Sequence, residues 1–252
     1  DAAGDRERVK LIYVVSYYDN PRSVSLAEPR RSALVELARR WSTGQQIYVI
    51  EDAAYRELRY DGPELPSLWS LDGDHDTVVL AQTFSKSFAP GLRIGYGVLP
   101  ADLVQPLTDR KSNEDFGSAS LPQHLLASVF DLGLYQPHVE RLRESYRAKR
   151  DCLVAAAERE LGDVEGVEWI TPDGGLYVWM SLPESVDAGF HGKLFDRALH
   201  REGVMYVPGD LCYPGPAEQR PRHEMRLSFG VQSLEGLDDG MARLARAIRS
   251  VL

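Results

Sequence analysis

The chain has 252 residues, 43% of them apolar and 27% charged, with a formal net charge of −9. That acidity argues against nucleic acid or an anionic membrane as a main partner, and no apolar run approaches the roughly 18 residues of a membrane span. The size allows one large or two modest domains with a real core. Cys152 and Cys212 lie far apart and form no C-x-x-C pair, which points to a reducing cytoplasm rather than a disulfide framework. The six histidines show no H-E-x-x-H or similar spacing, so no metal site is expected. The first ten residues are charged and lack the apolar core of a signal peptide. The chain also lacks an initiator Met and reaches a strand-like run by Val9, as if entered in mid-domain.

Residues 9–15 (VKLIYVV) are β-branched and nearly continuous, as in a strand covered on both faces. Residues 16–23 form a loop with an Asn20-Pro21 turn. Ser25 and Glu28 have the spacing of a capping box, and Leu34, Leu37, Ala38 and Trp41 follow at helical intervals. Residues 46–50 read as the next strand, ending in Glu51-Asp52. Residues 63–66 are loop and 67–71 a short helical turn. Residues 77–82 and 94–99 are strand-like. This alternation predicts a mostly parallel sheet. Beyond Pro100, helices are predicted over 101–111, 121–132 and 135–161. The remainder mixes strands (167–170, 176–180, 204–207, 225–229) with helices (190–201 and 233–252) around a core of its own. The domains are therefore drawn at 1–134 and 135–252.

Between the strands at 77–82 and 94–99 lies Thr83-Phe-Ser-Lys86, followed by Pro90-Gly-Leu-Arg93. Lysine is scarce: only Lys10, Lys86, Lys111, Lys149 and Lys193 among 29 basic residues. A lysine held between buried strands is a candidate nucleophile, because desolvation disfavours the ammonium form. An ordinary loop lysine is the plain alternative. Asn20, Asp52 with Tyr55, and Arg226 also sit at or beyond strand ends. Ligands of open α/β sheets bind at the carboxyl ends of the strands. Each residue alone could be a turn former, a cap or a surface arginine.

Together these residues resemble class I/II aminotransferases of fold type I, most like the 2-aminoadipate/kynurenine branch. The resemblance is carried by Asn20-Pro21, Asp52-Ala-Ala-Tyr55, Thr83-Phe-Ser-Lys86, Pro90-Gly-Leu-Arg93, Gly174-Gly175 and Arg226-Leu-Ser-Phe229, in order along the chain. It implies pyridoxal 5′-phosphate as cofactor, held by Lys86 as a Schiff base, with Lys86 then moving the proton at substrate Cα. Asp52 would pair with the ring nitrogen, and Tyr55 and Asn20 would bond the phenolic oxygen. Thr83, Ser85 and Arg93 would bind the phosphate. Arg226, with Asn20, would take the substrate carboxylate, for which a guanidinium fork suits better than an ammonium.

The resemblance further implies a PLP-binding large domain over 1–134, of which an N-terminal part of the family domain is absent here. A smaller α+β domain follows over 135–252. The implied activity is transamination between an α-amino acid and a 2-oxo acid, by a homodimer that binds neither nucleic acid nor membrane. Another fold type I lyase, decarboxylase or oxidase, or an aminotransferase-like effector domain of a transcription regulator, are the alternatives. Ser23 stands where the family usually has glycine, and Thr83 where serine is commoner. Tyr17, Tyr18, Asn113, Phe116 and Tyr213 are candidates for the side-chain pocket.

Overall fold

The computed structural model describes residues 9–252. Cα packing divides the chain into two compact units: one runs up to Asp19 and resumes over Ser25–Leu142, the other takes Asn20–Val24 and Arg143–Leu252.

The first unit is built on β1 (Leu11–Val15), α1 (Glu28–Trp41), β2 (Tyr48–Asp52), α2 (Leu68–Leu71), β3 (Val78–Thr83) and β4 (Gly95–Val98). The sheet order is β1-β2-β3-β4. The first three strands run parallel, with Val15 opposite Asp52 and Asp52 opposite Ala81. β4 returns antiparallel to β3, with Thr83 opposite Gly95. The geometry follows from the connections: α1 supplies a crossover, whereas the loop from Phe84 to Ile94 doubles back. Val35 and Ala38 of α1 pack with Ile47, Val49, Leu68 and Val78 in one buried cluster. Together with Arg31 they occupy positions i, i+4 and i+7 of the helix, the stripe expected of a helix laid on a sheet. Fully burying a side chain such as Leu68 stabilises the fold by about 1.5–3 kcal/mol.

Two sequence expectations change here. The first strand is not covered on both faces within the described residues: Leu11 and Tyr13 are 57% and 63% exposed. β1 is the outer strand of this sheet and has β2 as its one neighbour among the described residues. Nor does Ser25 cap α1. The N-cap is Ala27, with no side-chain bond. Ser25 lies too far upstream to reach the first-turn amides, and its Oγ accepts instead from the Tyr18 N–H. Pro29 in the first turn needs no partner for the amide it lacks.

Two helices follow, α3 (Ala101–Asp115) and α4 (Ser120–Asp131). α3 buries no residue at all, and α4 buries only Leu126. The 27-residue α5 (Tyr135–Leu161) then begins in the first unit and continues in the second.

The second unit carries β5 (Glu168–Trp169), β6 (Tyr177–Ser181), α6 (Lys193–Asp196), β7 (Val207–Pro208), β8 (Glu224–Ser228) and α7 (Leu234–Arg249). Its sheet order is β5-β6-β8-β7, antiparallel throughout. α7 starts where Ser233 accepts from the Gly236 N–H, and it buries Leu237, Met241, Leu244, Ala245 and Ile248 on one face. The strand expected over 204–207 is shorter. α6 runs into a π-helical turn at Arg197–Arg201, and the Val204 N–H closes back on Ala198 O. Ladder pairing therefore begins only at Val207.

Candidate active site

The eight site residues expected from sequence fall into two sets. Asp52, Tyr55, Thr83, Ser85, Lys86 and Arg93 belong to the first unit; Asn20 and Arg226 belong to the second.

In the first unit, Asp52 is the last residue of β2. Its Oδ1 accepts from the Ala54 N–H at 3.0 Å and its Oδ2 from the Tyr13 hydroxyl at 2.6 Å. Tyr55 follows one turn later and is buried. Lys86 Nζ lies 5.9 Å from the centroid of the Tyr55 ring. Lys86 itself is half-buried rather than enclosed. The loop that carries it is tied down locally. Phe84 N–H donates to Ile94 O, and Phe88 N–H and Ala89 N–H both donate to Phe84 O. Thr83 Oγ1 accepts from the Ser85 N–H at 3.1 Å. The neighbouring Ser87 is buried, and its Oγ accepts from Tyr135 at 2.8 Å. Arg93 adopts a left-handed backbone, φ 55°. Its Nη1 reaches back to Pro90 O at 3.0 Å and to Ser85 Oγ at 3.5 Å. Two hydroxyls and a guanidinium thus gather beside one lysine, a donor set that suits a dianion.

Beneath this arrangement sits a buried ion pair absent from the sequence reading. Arg31 and Glu51 are fully buried, 3.7 Å apart. Arg31 donates to the carbonyls of Ser16, Leu26 and Pro66. Glu51 accepts from Ser16 Oγ, Leu68 N–H and Trp69 N–H. The pair fixes the chain on either side of the strand end that presents Asp52. The signal was present in the sequence: an arginine on the apolar stripe of a helix is rarely buried without a partner.

In the second unit, Arg226 Nη1 donates to Asn20 Oδ1 at 2.6 Å. Its guanidinium lies 4.3 Å over the Tyr177 ring. Its Nε is buried and has no hydrogen-bond partner among the described residues. A donor left unpaired in this way is costly unless a ligand meets it. Ser23, in the place of the usual glycine, takes φ 53° and uses its Oγ to accept from the Tyr177 N–H at 3.2 Å. The side chain thus converts a strained position into an anchor for β6. Tyr177 was not singled out from sequence, although the paired β6–β8 register places its strand beside Arg226.

The five candidates for a side-chain pocket have separate settings. Tyr17 is buried beneath the Arg31 guanidinium and donates to Leu65 O. Tyr18 is buried with φ 44°. Asn113 donates to Asp109 O within α3. Phe116 is 95% exposed. Tyr213 donates to Glu224 Oε2 at 2.6 Å.

The family description "Aminotransferase class I and II" matches residues 4–238. The chain belongs to the class I and II aminotransferases. It is 32% identical to the aromatic-amino-acid aminotransferase 1 of Thermococcus litoralis, over 96% of this chain and 55% of that protein. The HTH-type transcriptional regulator YdfD of Bacillus subtilis is 31% identical over 98% of this chain and 48% of its own length. The crystal structure of LysN, the α-aminoadipate aminotransferase of Thermus thermophilus complexed with N-(5′-phosphopyridoxyl)-L-leucine, superposes with a TM-score of 0.85 at 31% identity. That match covers 96% of this chain and 59% of the LysN chain. The chain therefore spans between about half and three-fifths of the length of these relatives. The α/β architecture is the fold type I arrangement that the motifs implied.

Proposed function

We propose that this chain carries the cofactor- and substrate-binding residues of a pyridoxal 5′-phosphate-dependent transaminase that exchanges the amino group of an α-amino acid with a 2-oxo acid. The observation that carries the reading is the Lys86 loop, where Arg93 folds back onto Ser85 beside the lysine and forms a ready anion site. The name of LysN's bound adduct, a phosphopyridoxyl amino acid, supports the choice of cofactor. The residues fit that group: a lysine, an anchored carboxylate, a buried tyrosine and an anion-binding loop lie in one unit. When bound, the cofactor supplies the electron sink that lets an amino acid release its Cα proton.

The chain's own residues do the rest. Lys86 Nζ would hold the cofactor covalently and, once the substrate amine has displaced it, the freed amine would move a proton at substrate Cα as base and acid. Asp52 accepts from the ring nitrogen through the oxygen lone pairs that Tyr13 and Ala54 leave open. Tyr55 donates to the phenolic oxygen, the cofactor role read for Asn20 as well. Thr83, Ser85 and Arg93 bind the phosphate. Arg226 receives the substrate α-carboxylate, its guanidinium steadied by Asn20 and stacked on Tyr177.

Residues 1–134 are read as part of the cofactor-binding domain and 135–252 as the small domain. The assembly is read as a homodimer, supported by the exposed apolar residues Phe116, Leu121 and Leu132 around α3 and α4. A cytoplasmic location is supported by two unpaired cysteines. Among the described residues, no helix is long and apolar enough to cross a membrane.

The test is borohydride trapping. Protein incubated with pyridoxal phosphate and reduced should carry a stable pyridoxyl adduct on the Lys86 peptide. Lys86→Ala should lose it, together with 2-oxo acid formation from amino acids. An adduct that survives Lys86→Ala refutes the assignment. An adduct without amino-group exchange favours an effector domain or another reaction class.

A further inference from the structure

The shortest hydrogen bond to Asp52 comes from a residue with no role in the reading above. Tyr13 lies on β1, two residues before Val15, which stands opposite Asp52 in the parallel ladder. Side chains two apart on a strand share a face, and neighbouring strands in register align those faces. The Tyr13 ring can therefore reach along the sheet to the carboxylate, where its hydroxyl donates to Oδ2 at 2.6 Å. The Ala54 N–H holds Oδ1 at 3.0 Å. Two fixed donors, one on each oxygen, define the plane of the carboxylate. An ionised carboxylate offers about four acceptor positions, so two remain for a ligand.

We infer that Tyr13 is a positioning residue, which acts through Asp52 to set the direction in which that carboxylate accepts the cofactor's ring nitrogen. The inference rests on the Lys86–Asp52 reading proposed above. Packing does not explain the contact. Tyr13 is 63% exposed and anchors no core cluster, yet its hydroxyl is committed to one side chain. The phenol is also a dependable donor. Partial burial, and then the bond to Asp52, push its pKa up to about 12, so it keeps its proton throughout the neutral range. A second anchor is needed because Asp52 ends its strand, and the Ala54 amide alone leaves one oxygen free to swing.

The experiment compares two ligands that differ only at the ring nitrogen: pyridoxal 5′-phosphate and its 1-deaza analogue, which carries C–H in that place. Equilibrium affinities are measured on the full chain by absorbance and fluorescence titration. Wild type should prefer the natural cofactor. Tyr13→Phe should weaken the natural cofactor by roughly five- to tenfold, the scale of one charge-assisted hydrogen bond in a half-open site, and change the analogue less than about twofold. In the Asp52→Asn background, Tyr13→Phe should alter neither affinity further, because the coupling runs through that carboxylate. Equal weakening of both ligands would assign Tyr13 to general packing and overturn the inference. Unchanged affinities in Tyr13→Phe would overturn it too. If wild type binds neither ligand, the cofactor reading itself falls and takes the inference with it. Tyr13 is exposed, so Tyr13→Phe should fold, and Tyr13→Leu provides a second variant with the same expected pattern.

Discussion

The buried pair Arg31–Glu51 gives the sharpest test of what holds the Asp52 strand end in place. Arg31→Met keeps the length and apolar contact of the side chain, including its seat on the Tyr17 ring 4.3 Å below the guanidinium. The carbonyls of Ser16, Leu26 and Pro66 each lose the guanidinium as a donor, Ser16 O keeping the Leu26 N–H at 3.1 Å. Glu51, fully buried, loses its paired cation, 3.7 Å away, and keeps Ser16 Oγ and the Leu68 and Trp69 amides as partial compensation. Breaking a buried pair from one side leaves an uncompensated charge and costs about 3–5 kcal/mol. With a urea dependence of about 2 kcal/mol per molar, the unfolding midpoint should fall by roughly 2 M. Circular dichroism through a urea titration reads this directly. The double variant Arg31→Met/Glu51→Gln removes both charges, so it should lose less than the sum of the single variants by at least about 1 kcal/mol. A loss below about 1 kcal/mol for Arg31→Met, or strict additivity, would show that the pair does not hold the fold as argued.

Gly209→Ala should destabilise the second unit. An added Cβ would sit 2.7 Å from Glu224 O and 2.8 Å from Glu224 C, so backbone must move, at a cost of about 1–3 kcal/mol in thermal unfolding. An unchanged melting temperature would refute that close approach. Stability should also fall in alkali. Tyr48, through its bond to Asp102 and then burial, and Tyr213, through burial and then its bond to Glu224, both have pKa values pushed up to about 12, as does Tyr13. Burial and the nearby Asp187 and Asp210 raise Tyr206 as well. Unfolded phenols release protons near about pH 10, so the folded chain holds the extra protons. The contribution is complete below that pH and is lost as the pH rises toward about 12. Phenolate absorbance and melting temperature, followed together, should change in that window; phenols that titrate as in the unfolded chain would contradict the structure.

Sequence by itself determined most of the element types and named the candidate site residues. Hydrophobic period placed α5 over Tyr135–Leu161, and the motifs named Lys86, Asp52, Tyr55 and Arg226. These were legible because strand and helix periods are local, and because a lysine, a carboxylate and hydroxyls at strand ends have few other joint uses. Tertiary structure alone decided the partners. No local pattern pairs Arg31 with Glu51 on the next strand, or Arg226 with Asn20, 206 residues away. Nor does sequence place Tyr13 on Asp52, since that contact depends on the β1–β2 register. Ser25 shows the reverse error: its spacing fits a capping box, yet its hydroxyl serves Tyr18 because α1 begins at Glu28 and the loop folds back. Side-chain chemistry is written residue by residue, whereas hydrogen-bond partners depend on register and chain return, which only the folded chain fixes.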